Sequence, residues 1–231
     1  GDCSRSNTLI DTFQNRKVDG LIIVPSDNCS EQIKYLLKND VPIVLIDRYL
    51  PELNANHVIL NNYEATYSAV NVFITKGYKK IAMIAYNSCL SHMQERIRGY
   101  TEALQNNGLA EKINVKKVNY NNAKIELDKI MLGVIKEKNT DALLFATNNL
   151  TIHGLYFIKE YNLKVPDELA IIGFDSHEVY DFFQPPLTYI QQPLEDMGKE
   201  SVRLLLNQIE GSNKVVHIQL NHKLIIRASS G

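Results

Sequence analysis

Short uninterrupted apolar runs alternate along this chain with longer stretches in which apolar residues recur every three or four positions. The first pattern predicts strands buried on both faces, as in a parallel sheet, and the second predicts amphipathic helices. Strands are expected over residues 21–24, 43–46, 58–60, 81–85, 115–118, 142–145 and 170–174. Helices are expected over 9–15, 31–38, 64–75, 95–107, 125–136, 150–161 and 195–209. Gly77, Gly108 and Gly211 each follow a periodic run, where a helix end calls for a residue that accepts a left-handed backbone. Asn62 and Asn149 stand where they can cap the helices that follow.

Repeated β-α-β order implies parallel sheets with right-handed crossovers. After Leu194 the order changes to one amphipathic helix and two short apolar runs, 215–219 and 224–227. Such a tail can return the chain to a first sheet and then cross again to a second. The opening, Gly1-Asp2-Cys3-Ser4, runs almost at once into a helix. A parallel sheet usually begins with a strand, so the natural first strands are expected to be missing from this chain.

With ~100–200 residues per domain, a chain of this length holds one large domain or two small ones. The 231 residues are 45% apolar and 22% charged, ordinary for a soluble globular protein. A formal net charge of −1 excludes a piece that holds nucleic acid by charge alone, since that needs clustered Lys and Arg to displace counterions. Lys112, Lys116 and Lys117 read as a solvated edge. Cys3, Cys29 and Cys89 are odd in number, and their spacing fits neither a zinc site nor a disulfide framework, which suits a reducing cytoplasm. No signal peptide and no apolar stretch long enough to span a bilayer is visible.

Two stretches share one plan: Val41-Pro42 followed by Ile43-Val44-Leu45-Ile46-Asp47, and Val165-Pro166 followed by Leu169-Ala170-Ile171-Ile172-Gly173-Phe174-Asp175. In open α/β sheets the ligand crevice lies outside the carboxyl ends of such strands. Asp47 and Asp175 would then either point acceptor oxygens into a cleft or cap the loops that follow them. Arg96, near a helix start beside a strand end, either offers its fork of donors to the same crevice as Asp175 or pairs with Glu95 or Glu102. Asn148 sits at the end of the strand 142–145, with Asn149 the better placed of the two as a cap. Phe145 is a core residue or a stacking wall for a ring. Gln191-Gln192-Pro193 falls where the chain passes between its halves, so an amide there acts at a hinge or on a ligand. No Gly-x-Ser-x-Gly elbow, His-Glu-x-x-His or Walker loop is present, and the six histidines are scattered without metal-ligand spacing. No enzyme, cofactor or metal site is expected.

The residues also resemble one family along the whole chain. The order of Val18-Asp19-Gly20-Leu21-Ile22-Ile23, Val41-Pro42 through Asp47-Arg48, Gly77-Tyr78-Lys79-Lys80-Ile81-Ala82, Arg96-Ile97-Arg98-Gly99-Tyr100, Ala146-Thr147-Asn148-Asn149, Val165-Pro166 through Asp175, Pro186-Leu187-Thr188-Tyr189-Ile190-Gln191-Gln192-Pro193 and Leu224-Ile225-Ile226-Arg227 is similar to the lactose-repressor (LacI/GalR) family of bacterial transcription regulators. The resemblance implies two Rossmann-like lobes of parallel sheet flanked by helices, as in type I periplasmic binding proteins, with three crossovers. One lobe would hold residues 1–60 plus 192–220 and the other 61–191 plus 221–231. It further implies a homodimer and a small-molecule effector, a sugar or sugar derivative, in the cleft between lobes. The family's cleft positions match Asp47, Arg96, Asn148, Asp175 and Gln192 here. Operator DNA would be reached only through an N-terminal domain that this chain lacks, along with the first strand-helix-strand. Two departures stand out. Leu90 occupies a position where purine-responsive members carry an arginine, and Asn149 replaces the aspartate common after the matching Asn148. A transport-type sugar-binding protein of the same fold is the alternative reading.

Overall fold

A computed structural model describes residues 8–10, 12–13, 16–26, 29–137 and 139–231. Cys3 and the opening residues lie outside the described set. Of the helix expected over 9–15, residues 9, 10, 12 and 13 are helical, and the others lie outside the described residues. The chain divides into two units, 1–60 with 90–92 and 193–220, and 61–89 with 93–192 and 221–231. Gln192 thus falls in the second unit, and residues 90–92 join the first.

Unit 1 is built on a sheet of β1 (Leu21–Ile23), β2 (Ile43–Ile46), β3 (Asn56–Leu60) and β9 (His217–Leu220), all parallel and in that order. Besides the helical residues 9, 10, 12 and 13, it carries α1 (Ser30–Lys38) and α7 (Leu194–Ile209). Side chains of a strand alternate between faces, and β2 uses both. Ile43 and Leu45 pack with Ile33 and Leu36 of α1, whereas Val44 packs with Val58 and with Met197 and Leu204 of α7. Each of these side chains is buried. This two-sided burial is the reason the run 43–46 shows no alternation.

Unit 2 carries a six-stranded sheet in the order β10-β8-β7-β6-β4-β5. The strands are β4 (Ile81–Tyr86), β5 (Val115–Val118), β6 (Ala142–Phe145), β7 (Ala170–Phe174), β8 (Thr188–Gln191) and β10 (Lys223–Ile225), with β10 antiparallel to β8 and the rest parallel. The helices are α2 (Asn62–Thr75), α3 (Ser91–Asn106), α4 (Ala123–Glu137), α5 (Asn148–Glu160) and the single turn α6 (Val179–Phe182). The central strands β4, β6 and β7 are buried at every residue, while the edge strands β5 and β10 are partly exposed. The Tyr100 hydroxyl on α3 donates to the Ile81 carbonyl at 2.7 Å and accepts from Asn114 N at 2.8 Å, which ties that helix to the sheet. The two α/β units of parallel sheet match the expected fold class.

The expected elements recur with small shifts at their ends, and four differences have physical causes. α3 begins at Ser91, four residues before the predicted start, and the Ser91 hydroxyl donates to the Tyr49 carbonyl at 3.1 Å. β8 was not predicted: its four residues alternate between buried and half-buried, too short a pattern to show against the prolines before it. The cap of α2 is Asn61, whose side chain accepts from Glu64 N, and not Asn62, which is buried inside the first turn. The cap of α5 is Thr147, which accepts from Leu150 N, and not Asn149.

One stacked histidine pair in unit 1, with His57 buried and His217 exposed, links stability to pH. His57 on β3 and His217 on β9 are register partners, and their rings stack at 4.1 Å with Tyr49 on the other side of His57 at 4.7 Å. Burial, then the neighbouring His217, pushes the His57 pKa down from 6.5 to about 4. The unfolded chain therefore takes up this proton first. The contribution is intact above pH 6.5, is lost as pH falls toward 4, and changes no further below that. At ~1.4 kcal/mol per pKa unit the loss is at most about 3 kcal/mol. His57→Phe keeps a stacking ring that cannot titrate, so its melting temperature should fall less than that of the parent between pH 7 and 4.5. Equal slopes in thermal melts would show that His57 is not the group responsible.

Candidate functional site

The carboxyl ends of β6, β7 and β8 lie side by side in unit 2, and polar groups gather there. Asp175 follows β7 with a φ of 65°, in the left-handed region. Aspartate tolerates that region better than most residues, so the chain can turn sharply out of the sheet and keep a carboxylate at the strand end. Gln192 follows β8, and its Nε2 donates to Asp175 Oδ1 at 2.5 Å. Because the carboxylate only accepts, this bond fixes which way the amide points. Gln192 Oε1 is then buried with no hydrogen-bond partner among the described residues.

Arg96, in the second turn of α3, reaches the same strand ends. It is 3% exposed. Its Nε donates to Asn62 Oδ1 at 2.8 Å and its Nη1 to the Ala146 carbonyl at 2.6 Å. The guanidinium carbon lies 3.5 Å from the centre of the Phe174 ring. The acidic pairing considered for Arg96 belongs instead to Arg98, which bonds Glu95 and Glu102 on the exposed side of the helix.

Asn148 opens α5, and its Oδ1 lies 3.4 Å from the Tyr180 hydroxyl, which also donates to the Phe174 carbonyl at 3.1 Å. Burial, with a smaller contribution from the Asp175 charge, raises the Tyr180 pKa, so the hydroxyl stays a donor. Asn149 donates from Nδ2 to the Tyr86 hydroxyl at 2.8 Å, at the end of β4. The Tyr86 ring lies 5.3 Å from that of Tyr120.

Arg96, Asn148, Asp175 and Gln192 are thus brought together at one edge of unit 2. Asp47 belongs to unit 1, at the carboxyl end of β2, and repeats the geometry of Asp175 with a φ of 68°. Its backbone N donates to the Val58 carbonyl at 3.0 Å, and its side chain is 31% exposed, 3.5 Å from Arg48 Nε. Phe145 requires a correction. It is fully buried, and its ring faces Gly154 of α5, so it is a core residue and not a stacking wall for a ligand. Asn62, Tyr180 and Tyr86 were missed. Asn62 resembled a helix cap because its partner is 34 residues away in sequence, and no local pattern marks the two tyrosines.

Among the described residues no cluster of three or more His, Cys, Asp or Glu side chains could hold a metal ion. No described helix is long and apolar enough to cross a membrane.

Comparison with known proteins agrees with this architecture. Residues 70–230 match the model of the periplasmic binding protein-like domain. The repressor CytR of Escherichia coli K12, an HTH-type transcriptional repressor, is 30% identical over 100% of this chain and 69% of its own length. A LacI-family regulatory protein from Chloroflexus aggregans has a structure with a TM-score of 0.83 at 27% identity, covering 100% of this chain and 83% of the other. The transcriptional regulator CelR in complex with cellobiose gives 0.83 at 26% identity, over 96% of this chain and 69% of that one. The chain belongs to the periplasmic binding protein-like family, as the effector-binding region of a LacI-family regulator. It spans 62–69% of the length of the first curated relatives that it matches.

The contact between Phe145 and Gly154 can be tested directly. A Cβ on Gly154 would sit 2.1 Å from the Phe145 ring. Alanine for glycine in a helix normally gains up to ~1 kcal/mol, but overpacking a closed core costs about 1–3 kcal/mol. Gly154→Ala is therefore expected to lower stability in denaturant titrations. The loss should shrink in a Phe145→Leu background, where the ring is gone.

Proposed function

We propose that this region binds a small sugar-like effector and so sets the DNA affinity of a LacI-type transcription regulator. The observation that carries the proposal is the convergence of Arg96, Asn148, Asp175 and Gln192 at the carboxyl ends of adjacent strands. Asp175 accepts hydroxyl hydrogens from the ligand, Arg96 and Asn148 donate or bridge, and the buried Gln192 Oε1 takes a further donor. Asp47 of unit 1 supplies a second carboxylate at its own strand end. Polar groups arranged for hydroxyls reject analogues that lack them, because each missing bond leaves a buried partner unpaired. The relative found with cellobiose supports a carbohydrate as the ligand class. Effector binding shifts the regulator between states only by its difference in affinity for them. Operator DNA is reached through a domain outside this chain.

A homodimer is part of the same proposal. Tyr156, Tyr161 and Phe182 of unit 2 are exposed, and a groove of about 660 Å³ lined in part by His153, Tyr156 and Phe157 runs along α5. Aromatic side chains are enriched where protein surfaces meet, so these exposed rings are candidates for burial against a second copy.

Thermal shift with cellobiose, D-ribose, glucose 6-phosphate and hypoxanthine identifies the ligand class, since a molecule that binds only the folded form raises its stability. Calorimetry then tests the site with Asp175→Asn, which keeps the left-handed turn and removes the charge. Binding should weaken roughly tenfold or more, as expected for a hydrogen bond to a charged group. Unchanged affinity would remove Asp175 from the site. Sedimentation of the 26.3 kDa chain should give a dimer, and Tyr156→Asp should shift it toward monomer. A parent that sediments as a monomer at every concentration would refute the assembly.

A further inference from the structure

Arg96 is held in three directions by groups of unit 2. Nε donates to Asn62 Oδ1 and Nη1 to the Ala146 carbonyl, at 2.8 and 2.6 Å. Both donor N–H groups lie in the guanidinium plane, and the Phe174 ring, its centre 3.5 Å from the guanidinium carbon, limits movement along the normal. Resonance keeps a guanidinium planar, so fixing its Nε fixes the direction of every other N–H. Two of the three anchors are parts of the sheet, the end of β6 and the end of β7. The third is a side chain, Asn62, itself 3% exposed and two residues beyond β3 on the path by which the chain enters unit 2. The cap of α2 is made by Asn61, so capping does not account for Asn62. A buried amide in a first helical turn is costly unless it is bonded, and here the bond goes to the arginine.

We propose that Asn62 is a positioning residue of the effector site, which sets the plane in which Arg96 meets the ligand. The proposal rests on the assignment of Arg96 to that site. Asn62 touches the ligand only through Arg96. The proposed role needs the acceptor oxygen at this position. Asn62→Ala therefore removes the function, and Asn62→Asp, which keeps an acceptor at the same reach, preserves it.

The test uses the 231-residue chain and two readouts. In ¹⁵N–¹H spectra the Arg96 Nε–H resonance is identified by its absence in Arg96→Lys. It should exchange slowly in the parent and in Asn62→Asp, and at least roughly tenfold faster in Asn62→Ala, since its bonded partner is gone. The second readout is calorimetric affinity for whichever of cellobiose, D-ribose, glucose 6-phosphate or hypoxanthine stabilises the parent. Asn62→Ala should weaken it roughly tenfold at a temperature where both proteins are folded, Asn62→Asp should not, and Asn62→Ala should add nothing in an Arg96→Lys background. A purely structural asparagine would lower the melting temperature and leave the affinity alone. Unchanged Nε exchange in Asn62→Ala, or unchanged affinity where Arg96→Lys weakens binding, overturns the positioning role. Unchanged affinity in Arg96→Lys itself overturns instead the placing of Arg96 in the effector site. If no probe binds, the Nε exchange alone decides whether Asn62 orients Arg96.

Discussion

A parallel strand buried on both faces has only its ends left for anything but packing. β4, β6 and β7 are buried at every residue, so their side chains are used mainly for packing. Polar chemistry is displaced to the residues that follow, and these must turn away within one or two positions. Asp47 and Asp175 do this with left-handed backbones, a conformation that a short polar side chain tolerates and a β-branched one does not. The same constraint places Asn148 after β6.

Burial then governs how those polar groups behave. Away from water, a polar group without a partner is expensive, so such groups are organised through one another. Gln192 holds Asp175, Tyr180 bridges the Phe174 carbonyl and Asn148, and Arg96 lies between Asn62, Ala146 and the face of Phe174. The arrangement is preorganised, which would limit the ordering cost of binding the proposed effector. Exposed ion pairs such as Arg98 with Glu95 and Glu102 carry much less, since solvent and salt screen them.

The central strands were legible because two-sided burial writes itself as an unbroken apolar run, and α7 because its apolar spacing matches the helical period. β8 was not, since a half-covered strand of four residues carries too little pattern. The caps were misread by one or two positions at Asn62 and Asn149. Several Asn and Thr residues near a helix start satisfy the same local rule, and the choice among them depends on what else each can bond. Phe145 could not be assigned between core and ligand from its neighbours in sequence, because the glycine that accepts its ring stands nine residues away on α5.

Sequence by itself determined the alternation of elements, the parallel order of the sheets and the residues at the strand ends, because each depends on local periodicity or on a single backbone position. Its resemblance to a known family added the expectation that those residues serve one site. Only the tertiary structure decided that Arg98 and not Arg96 takes the neighbouring carboxylates, that Phe145 is spent on packing, and that Asn62 bonds an arginine rather than a helix end. Those outcomes turn on which side chains meet across distant segments, and the energy of a buried polar or aromatic group is set by that meeting rather than by the residues on either side of it in the chain.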